Sequence, residues 1–317
     1  MRVVSDSEVE EIVPVREVVE AVERGYAAVT SGKAVMPVRS RMEIKEYLGD
    51  VLLMPCYVPE FNIYSLKIVT VYPKNVEKNL PTVSATVVIL NPETGEALAV
   101  AEGRVLTGLR TGAATAVGVK YLARRDSRYV GIIGCGYQAK WQLLALTAVM
   151  KPEKIIVYDI VEEKAREFVN RMSSLLDCEI TQSLSGEQLA RVSDIIITVT
   201  TSKTPVVKRE WIKPGTHISA IGAYTPEMAE LDPALVANAK VVVDSREAAR
   251  EEAGDIIQAV NRGLMKWDDV YAEIGEIILG WKKGREDEDE ITIFKSVGLA
   301  VQDAAAAKVL LNHLKTK

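Results

Sequence analysis

Residues 130–142, VGIIGCGYQAKWQ, run from a short apolar stretch through two glycines into a helical pattern. No other segment restricts the fold as much. In GCGYQA, Gly134 permits a tight strand-to-helix turn, Gly136 lets the backbone approach a pyrophosphate, and Ala139 keeps the helix close to the strand. The helix that follows aims its first N–H groups at phosphate oxygens. A second strand, KIIVYD, ends on Asp159, about 20 residues past the turn, where a carboxylate accepts hydrogen bonds from the ribose hydroxyls of NAD. That acid repels the 2′-phosphate of NADP and no arginine follows it directly, so NAD is expected over NADP. Taken alone, such a turn also serves plain helix packing. Its context, strand before and helix after, favours the dinucleotide.

From the turn onward the pattern alternates. Strands are expected at 129–134, 154–158, 194–199, 217–221 and 240–244, with helices near 137–150, 161–176 and 245–252. This predicts an α/β fold, a Rossmann-type doubly wound parallel sheet. The residues before it read differently. A helix over 14–31 repeats Val15, Val18, Val19, Val22 and Tyr26 at helical spacing and ends before Gly32. Strands follow at 64–72, 82–90 and 96–101, the last two joined by the turn NPETG, in a mostly antiparallel α+β unit. A helix over 111–124 carries the chain onward. REDEDE (285–290) reads as a solvated loop without a role. SVGLAVQDAAAAKVLLNHL is apolar or small on nearly every side, so that helix is buried, between the units or back on the first.

Composition narrows the function. Net charge is −5, which offers no basic footprint for nucleic acid. No apolar run reaches the ~20 residues a membrane span needs, and MRVVSDSEVEEIV lacks a signal peptide's layout. Three scattered cysteines and two histidines supply neither a disulfide framework, nor a metal centre, nor a Ser-His-Asp triad. A soluble, cytoplasmic protein is expected.

A nicotinamide site needs groups for substrate. Lys67 sits mid-strand among apolar residues, either snorkelling at an edge or held from water with a lowered pKa, fit for acid–base work. Arg110, in LTGLRTGAA just before the expected helix start, is a surface or capping arginine or a two-point clamp for a carboxylate. Arg39 and Arg41 share a strand face and are similar candidates. Thr82, Ser84 and Thr86 share another, most simply solvated. Cys135 has no base beside it in sequence and reads as fixed by the turn, not as a nucleophile.

Together these stretches resemble the ornithine cyclodeaminase/mu-crystallin family, which includes archaeal-type alanine dehydrogenase and ketimine reductase. The matching segments are MPVR (36–39), LKIV (66–69), PTVSAT (81–86), LRTGAA (109–114), GIIGCGYQA (131–139), DIIITVT (194–200), GTHISAIGA (215–223), AEIGEII (272–278) and TIFKSVGLAVQDAAAAK (292–308). They cover almost the whole chain in family order.

The resemblance implies a homodimer. Residues 1–122 with 297–317 would form a substrate-binding and dimerisation domain, and 123–296 the NAD-binding domain. It places Arg39 and Arg110 on the substrate carboxylate, Thr82 and Tyr224 at the substrate, and Lys67 beside the reacting carbon. Thr111, Gly134, Cys135, Gly136, Tyr137, Gln138, Asp159, Thr198, Val199, Thr200 and Ser296 would line the cofactor. The implied activity is NAD(H)-dependent interconversion of a small L-amino acid and its 2-oxo or 2-imino acid. Ornithine cyclodeamination and non-catalytic small-ligand binding are the alternatives. One turn departs from the cyclodeaminase pattern: IGAYTPEMAELD has Tyr224 at the aspartate position and Met228 at the lysine position. That puts cyclodeamination in doubt.

Overall fold

The computed structural model describes residues 1–314, so positions 315–317 of the expected first domain lie outside the described residues. The chain divides into two compact units, Met1–Arg110 with the segment from Leu299 onward, and Thr111–Gly298. The expected boundaries were 122 and 296. The first division falls earlier, inside one continuous helix, Gly103–Leu122, and the second two residues later.

The first unit holds strands β1 (Arg2–Val4), β2 (Ser40–Ile44), β3 (Gly49–Val58), β4 (Ile63–Val71), β5 (Val83–Leu90) and β6 (Ala97–Glu102), with helices α1 (Asp6–Ile12) and α2 (Val15–Thr30). The sheet order is β1-β6-β5-β4-β3-β2. Every pairing is antiparallel except that of β1 with β6. The β5–β6 turn closes as its residues dictate: Gly95 takes φ +73° and donates to the Asn91 carbonyl at 2.8 Å.

Strand β4 alternates sharply, with Ile63, Ser65 and Lys67 buried and their neighbours half-buried. The buried face is covered by α11 (Ala300–Leu314), which packs on α2, β3 and β4. The fully buried small residues of α11 permit that close approach. The other sheet face carries Leu53, Pro55 and Tyr57 opposite Ile68, Leu66 and Tyr64, with Val88 and Leu90 alongside. None of these is fully buried within the described residues.

Helix α3 (Gly103–Leu122) corrects one expectation. It begins eight residues before the expected 111, so Arg110 lies inside the helix and not at its mouth. Two glycines in GRVLTGLR mask the helical pattern, and the start is capped from far away: Asp6 Oδ1 accepts from Val105 N–H at 2.8 Å.

The second unit contains β7 (Tyr129–Ile133), α4 (Tyr137–Val149), β8 (Lys154–Tyr158), α5 (Glu162–Ser173), β9 (Glu179–Gln182), α6 (Gly186–Val192) and β10 (Ile195–Thr198). After these come β11 (His217–Ala220), α7 (Pro233–Ala237), β12 (Lys240–Val243), α8 (Arg246–Glu252), α9 (Gly254–Asn261), β13 (Ala272–Glu273), α10 (Ile274–Ile278) and β14 (Thr292–Lys295). All pairings are parallel, in the order β13-β12-β14-β11-β10-β7-β8-β9. Strand order reverses between β7 and β10, the switch point at which such sheets bind ligands beyond their carboxyl ends. Ile133, Thr198, Ala220 and Lys295 are in register there. On α3, Gly112 lets α4 come close, since a Cβ would lie 2.2 Å from the Trp141 carbonyl oxygen.

The acidic stretch 285–290 is more than a solvated loop. Arg285 donates to the Leu122 carbonyl at 2.9 Å, and its backbone N–H reaches the Tyr121 carbonyl, so it closes the C-terminal end of α3.

Candidate active site

In the first unit, β4 delivers Lys67 and α3 delivers Arg110 to one carboxylate, Asp303 of α11. Lys67 Nζ stands 2.7 Å and Arg110 Nε 3.1 Å from its oxygens. Lys67 is 2% exposed and Asp303 1%. Arg110 also donates from Nη1 to Gln302 Oε1 at 2.6 Å, and Gln302 donates to the Tyr26 hydroxyl on α2. Burial lowers the Lys67 ammonium to a pKa of about 8, helped by the Arg110 charge and opposed by Asp303. Arg39, half-buried just ahead of β2, lies close enough to lower it further. The snorkelling reading of Lys67 and the surface reading of Arg110 are both excluded by this burial.

Asp303 and Gln302 were not among the expected site residues, although the signal was there. A helix with no polar face that still carries VQD must pair those groups internally, because an unpaired buried carboxylate is costly. Thr82 is not brought to this cluster. It is exposed ahead of β5, five residues, or about 16 Å of extended chain, from Val87, the partner of Lys67.

In the second unit the turn after β7 has the expected form. Gly134 takes φ +98°, and a Cβ there would lie 2.8 Å from the Val199 carbonyl oxygen. Gly136 caps α4 without any side-chain bond, and a Cβ on it would meet nothing within 4 Å, so space lies open over the turn. Gln138 Oε1 is buried and accepts no hydrogen bond among the described residues. Asp159 follows β8 and ties the turn down, taking the Cys135 N–H at 2.8 Å on one oxygen and the Val161 N–H at 2.9 Å on the other. Each oxygen keeps a lone pair for a further donor. Tyr137 projects from the start of α4, 39% exposed. Cys135 is buried and its thiol is pushed up to about 12 by burial and then by Asp159, which suits a turn residue and not a nucleophile. An open glycine turn, a helix start with no side-chain cap bond, an orphaned amide oxygen and an acid at the second strand's end fit a dinucleotide.

Thr198, Val199 and Thr200 follow from β10, and Ser296 from β14. Thr198 and Thr200 donate their hydroxyls to Glu230, and Ser296 donates to Asp244 Oδ2 at 2.7 Å. Asp244 also takes the N–H groups of Val297 and Gly298, both at 2.9 Å. Thr111 is buried on α3. Tyr224 is 45% exposed in the loop after β11. Glu230, six residues on, is fully buried and already holds the Thr200, Gly222 and Ala223 N–H groups. It therefore cannot replace the aspartate missing at 224. Burial raises its pKa, against the pull of Lys295. No group of three or more His, Cys, Asp or Glu able to hold a metal occurs among the described residues.

Known proteins resemble this chain over nearly its whole length. An alanine dehydrogenase from Archaeoglobus fulgidus is 42% identical over 315 residues, 99% of this chain and 95% of its own. The structure of Thermococcus litoralis Δ1-pyrroline-2-carboxylate reductase in complex with NADH and L-proline superposes with a TM-score of 0.95 at 42% identity, covering 100% of this chain and 98% of that one. An archaeal alanine dehydrogenase dimer with bound NAD gives 0.93 at 41% identity, covering 100% and 96%. The ornithine cyclodeaminase/mu-crystallin profile matches residues 1–317, and the chain belongs to that family.

Proposed function

We propose that the protein is an NAD(H)-dependent oxidoreductase interconverting a small L-amino acid and its 2-imino or 2-oxo acid. One observation carries the reading: in the first unit two buried cations, Lys67 and Arg110, share the single carboxylate of Asp303. A positive surplus held away from water suits an anion, and the carboxylate of an amino or imino acid supplies one. Arg110 offers a planar fork, already steered by Gln302, for two-point binding. Arg39 adds a second cation for the same carboxylate. Lys67 then moves the proton. In reduction its ammonium protonates the imine nitrogen, and in oxidation its neutral amine removes a proton from the substrate ammonium. A dinucleotide held by its pyrophosphate at the glycine turn would supply or accept the hydride. Solved relatives that hold NAD, or NADH with L-proline, support the cofactor and the substrate class.

The apolar sheet face of Leu53, Tyr57, Tyr64, Leu66, Ile68 and Val88 is the surface on which two copies pair. The dimeric relative supports that assembly.

The decisive experiment follows NADH absorbance with pyruvate plus ammonium, pyruvate plus methylamine, and Δ1-pyrroline-2-carboxylate. Turnover with at least one is expected, and none with any of them overturns the reading. A parallel incubation with ornithine and catalytic NAD should yield no proline. Tyr224 is a poor base near pH 7, Glu230 is committed elsewhere, and Glu227 is exposed. Proline formation at a rate comparable to the best reduction would reassign the protein as a cyclodeaminase.

A further inference from the structure

Glu230 sits wholly buried beneath the carboxyl ends of β10 and β11 and touches both loops that leave them. Oε1 accepts from Thr200 N–H at 2.6 Å and Thr200 Oγ1 at 2.8 Å. Oε2 accepts from Thr198 Oγ1 at 2.9 Å, Gly222 N–H at 2.7 Å and Ala223 N–H at 3.3 Å. The backbone at Glu230 is itself held. Asp255 Oδ1 accepts the N–H groups of Glu230 and Leu231 at 2.6 and 2.9 Å, and Asp255 Oδ2 pairs with Lys295 of β14 at 2.9 Å. Gly222 leaves no slack, since a Cβ there would lie 2.5 Å from Glu230 Oε1.

In a doubly wound sheet the two halves bind the two mononucleotides. The glycine turn and Asp159 belong to the half built on β7, β8 and β9. Glu230 acts only on the other half, on the loops after β10 and β11. We propose that Glu230 is a positioning residue that presets the nicotinamide half of the cofactor site by clamping these two loops together, with Asp255 and Lys295 as its footing. This rests on the NAD(H) reading. Glu230 touches no reacting atom in this scheme. It fixes where Thr198–Thr200 and Gly222 present their backbone.

The chemistry makes Glu230→Gln informative. Oε1 faces the Thr200 N–H and Oε2 faces the Gly222 N–H, so either orientation of the amide sets an NH2 group against a backbone donor. One loop must come loose. Glu230→Gln is expected to raise the Kd for NADH about tenfold, the loss of one or two charge-assisted bonds. Binding of 5′-ADP, which needs only the glycine-turn half, should stay within about twofold. Titration calorimetry with both ligands on both proteins, with hydrogen exchange of segments 198–202 and 221–225, reads this out. Faster exchange in those two segments alone is expected in the variant.

Unchanged NADH affinity overturns the proposal, and so does an equal loss of NADH and 5′-ADP, which would mark Glu230 as a general fold residue. Failure of the unmodified protein to bind either ligand would instead overturn the NAD(H) reading. If the variant does not fold, the unmodified protein still decides. Both segments should be protected without NADH, and fast exchange there that only NADH slows would refute a preset clamp.

Discussion

Each unit buries a cluster of charged side chains, and these two clusters are opposite in sign. In the first, Lys67 and Arg110 share Asp303. In the second, Glu230 and Asp255 lie with Lys295. The acidic surplus is spent on the protein's own backbone, because Glu230 and Asp255 between them take five backbone N–H groups from Thr200, Gly222, Ala223, Glu230 and Leu231. The basic surplus makes no such use of the backbone; besides Asp303, Arg110 meets the Gln302 side chain. Backbone N–H donors take up much of the acidic cluster's bonding capacity, whereas the basic cluster is met by side chains, Asp303 and Gln302. The acidic cluster thus organises loops, and the basic one is the cluster proposed above to meet a substrate carboxylate.

The sharpest way to break this contrast is to remove the basic surplus. Lys67→Met leaves Arg110 and Asp303 as a balanced pair, so the fold should survive. The proton-handling group is gone, and kcat for imine reduction should fall about 10²–10⁴-fold with NADH affinity unchanged. A loss below tenfold in stopped-flow and steady-state rates would return Lys67 to a structural role. Arg110→Lys keeps the charge and loses the fork, and should lower kcat/KM roughly tenfold to a hundredfold. An unchanged kcat/KM would mean that Arg110 serves only Asp303.

The second unit offers a smaller effect. Asp159→Ser removes a 2′-phosphate-repelling carboxylate and should narrow the preference for NADH over NADPH by about tenfold. Equal affinities in the unmodified protein would refute that role. The pH profile gives the finest test. Lys67 holds its proton below about pH 8, so reduction should be near maximal there, halve at about pH 8 and keep falling. Oxidation should rise over the same range. Asp303 is what raises the Lys67 pKa, so Asp303→Asn should move both inflections downward. An inflection that stays put would detach Lys67 from the proton.

Much of the fold could be read in advance because it rests on local signals. The glycine turn, the alternating strands and the NPETG hairpin each declare themselves within about ten residues. Lys67 was singled out by its place in an apolar strand, but nothing nearby could name its partner. Gln302, which steers Arg110, lies 192 positions away. The early start of α3 was hidden for the same reason, its cap Asp6 lying 99 positions upstream of Val105. Glu230 lies in a turn whose sequence suggested side chains facing a ligand, and the structure turns it inward to hold the loops. Periodicity reports that a side chain is buried, and only topology reports against what.

Helix α11 has a bearing on how the chain is made. It packs on α2, β3 and β4, and it alone brings Asp303 to Lys67. During synthesis, which runs at about 5–20 residues per second, residues 1–110 emerge long before residues 300–314. Until then the β4 face carries a lysine that has no carboxylate to enter the core with, and the sheet lacks its cover. The first unit to leave the ribosome is thus the last to close. The second unit, contiguous from Thr111 to Gly298, can fold while the first still waits, which reverses the usual N-to-C order of domain maturation.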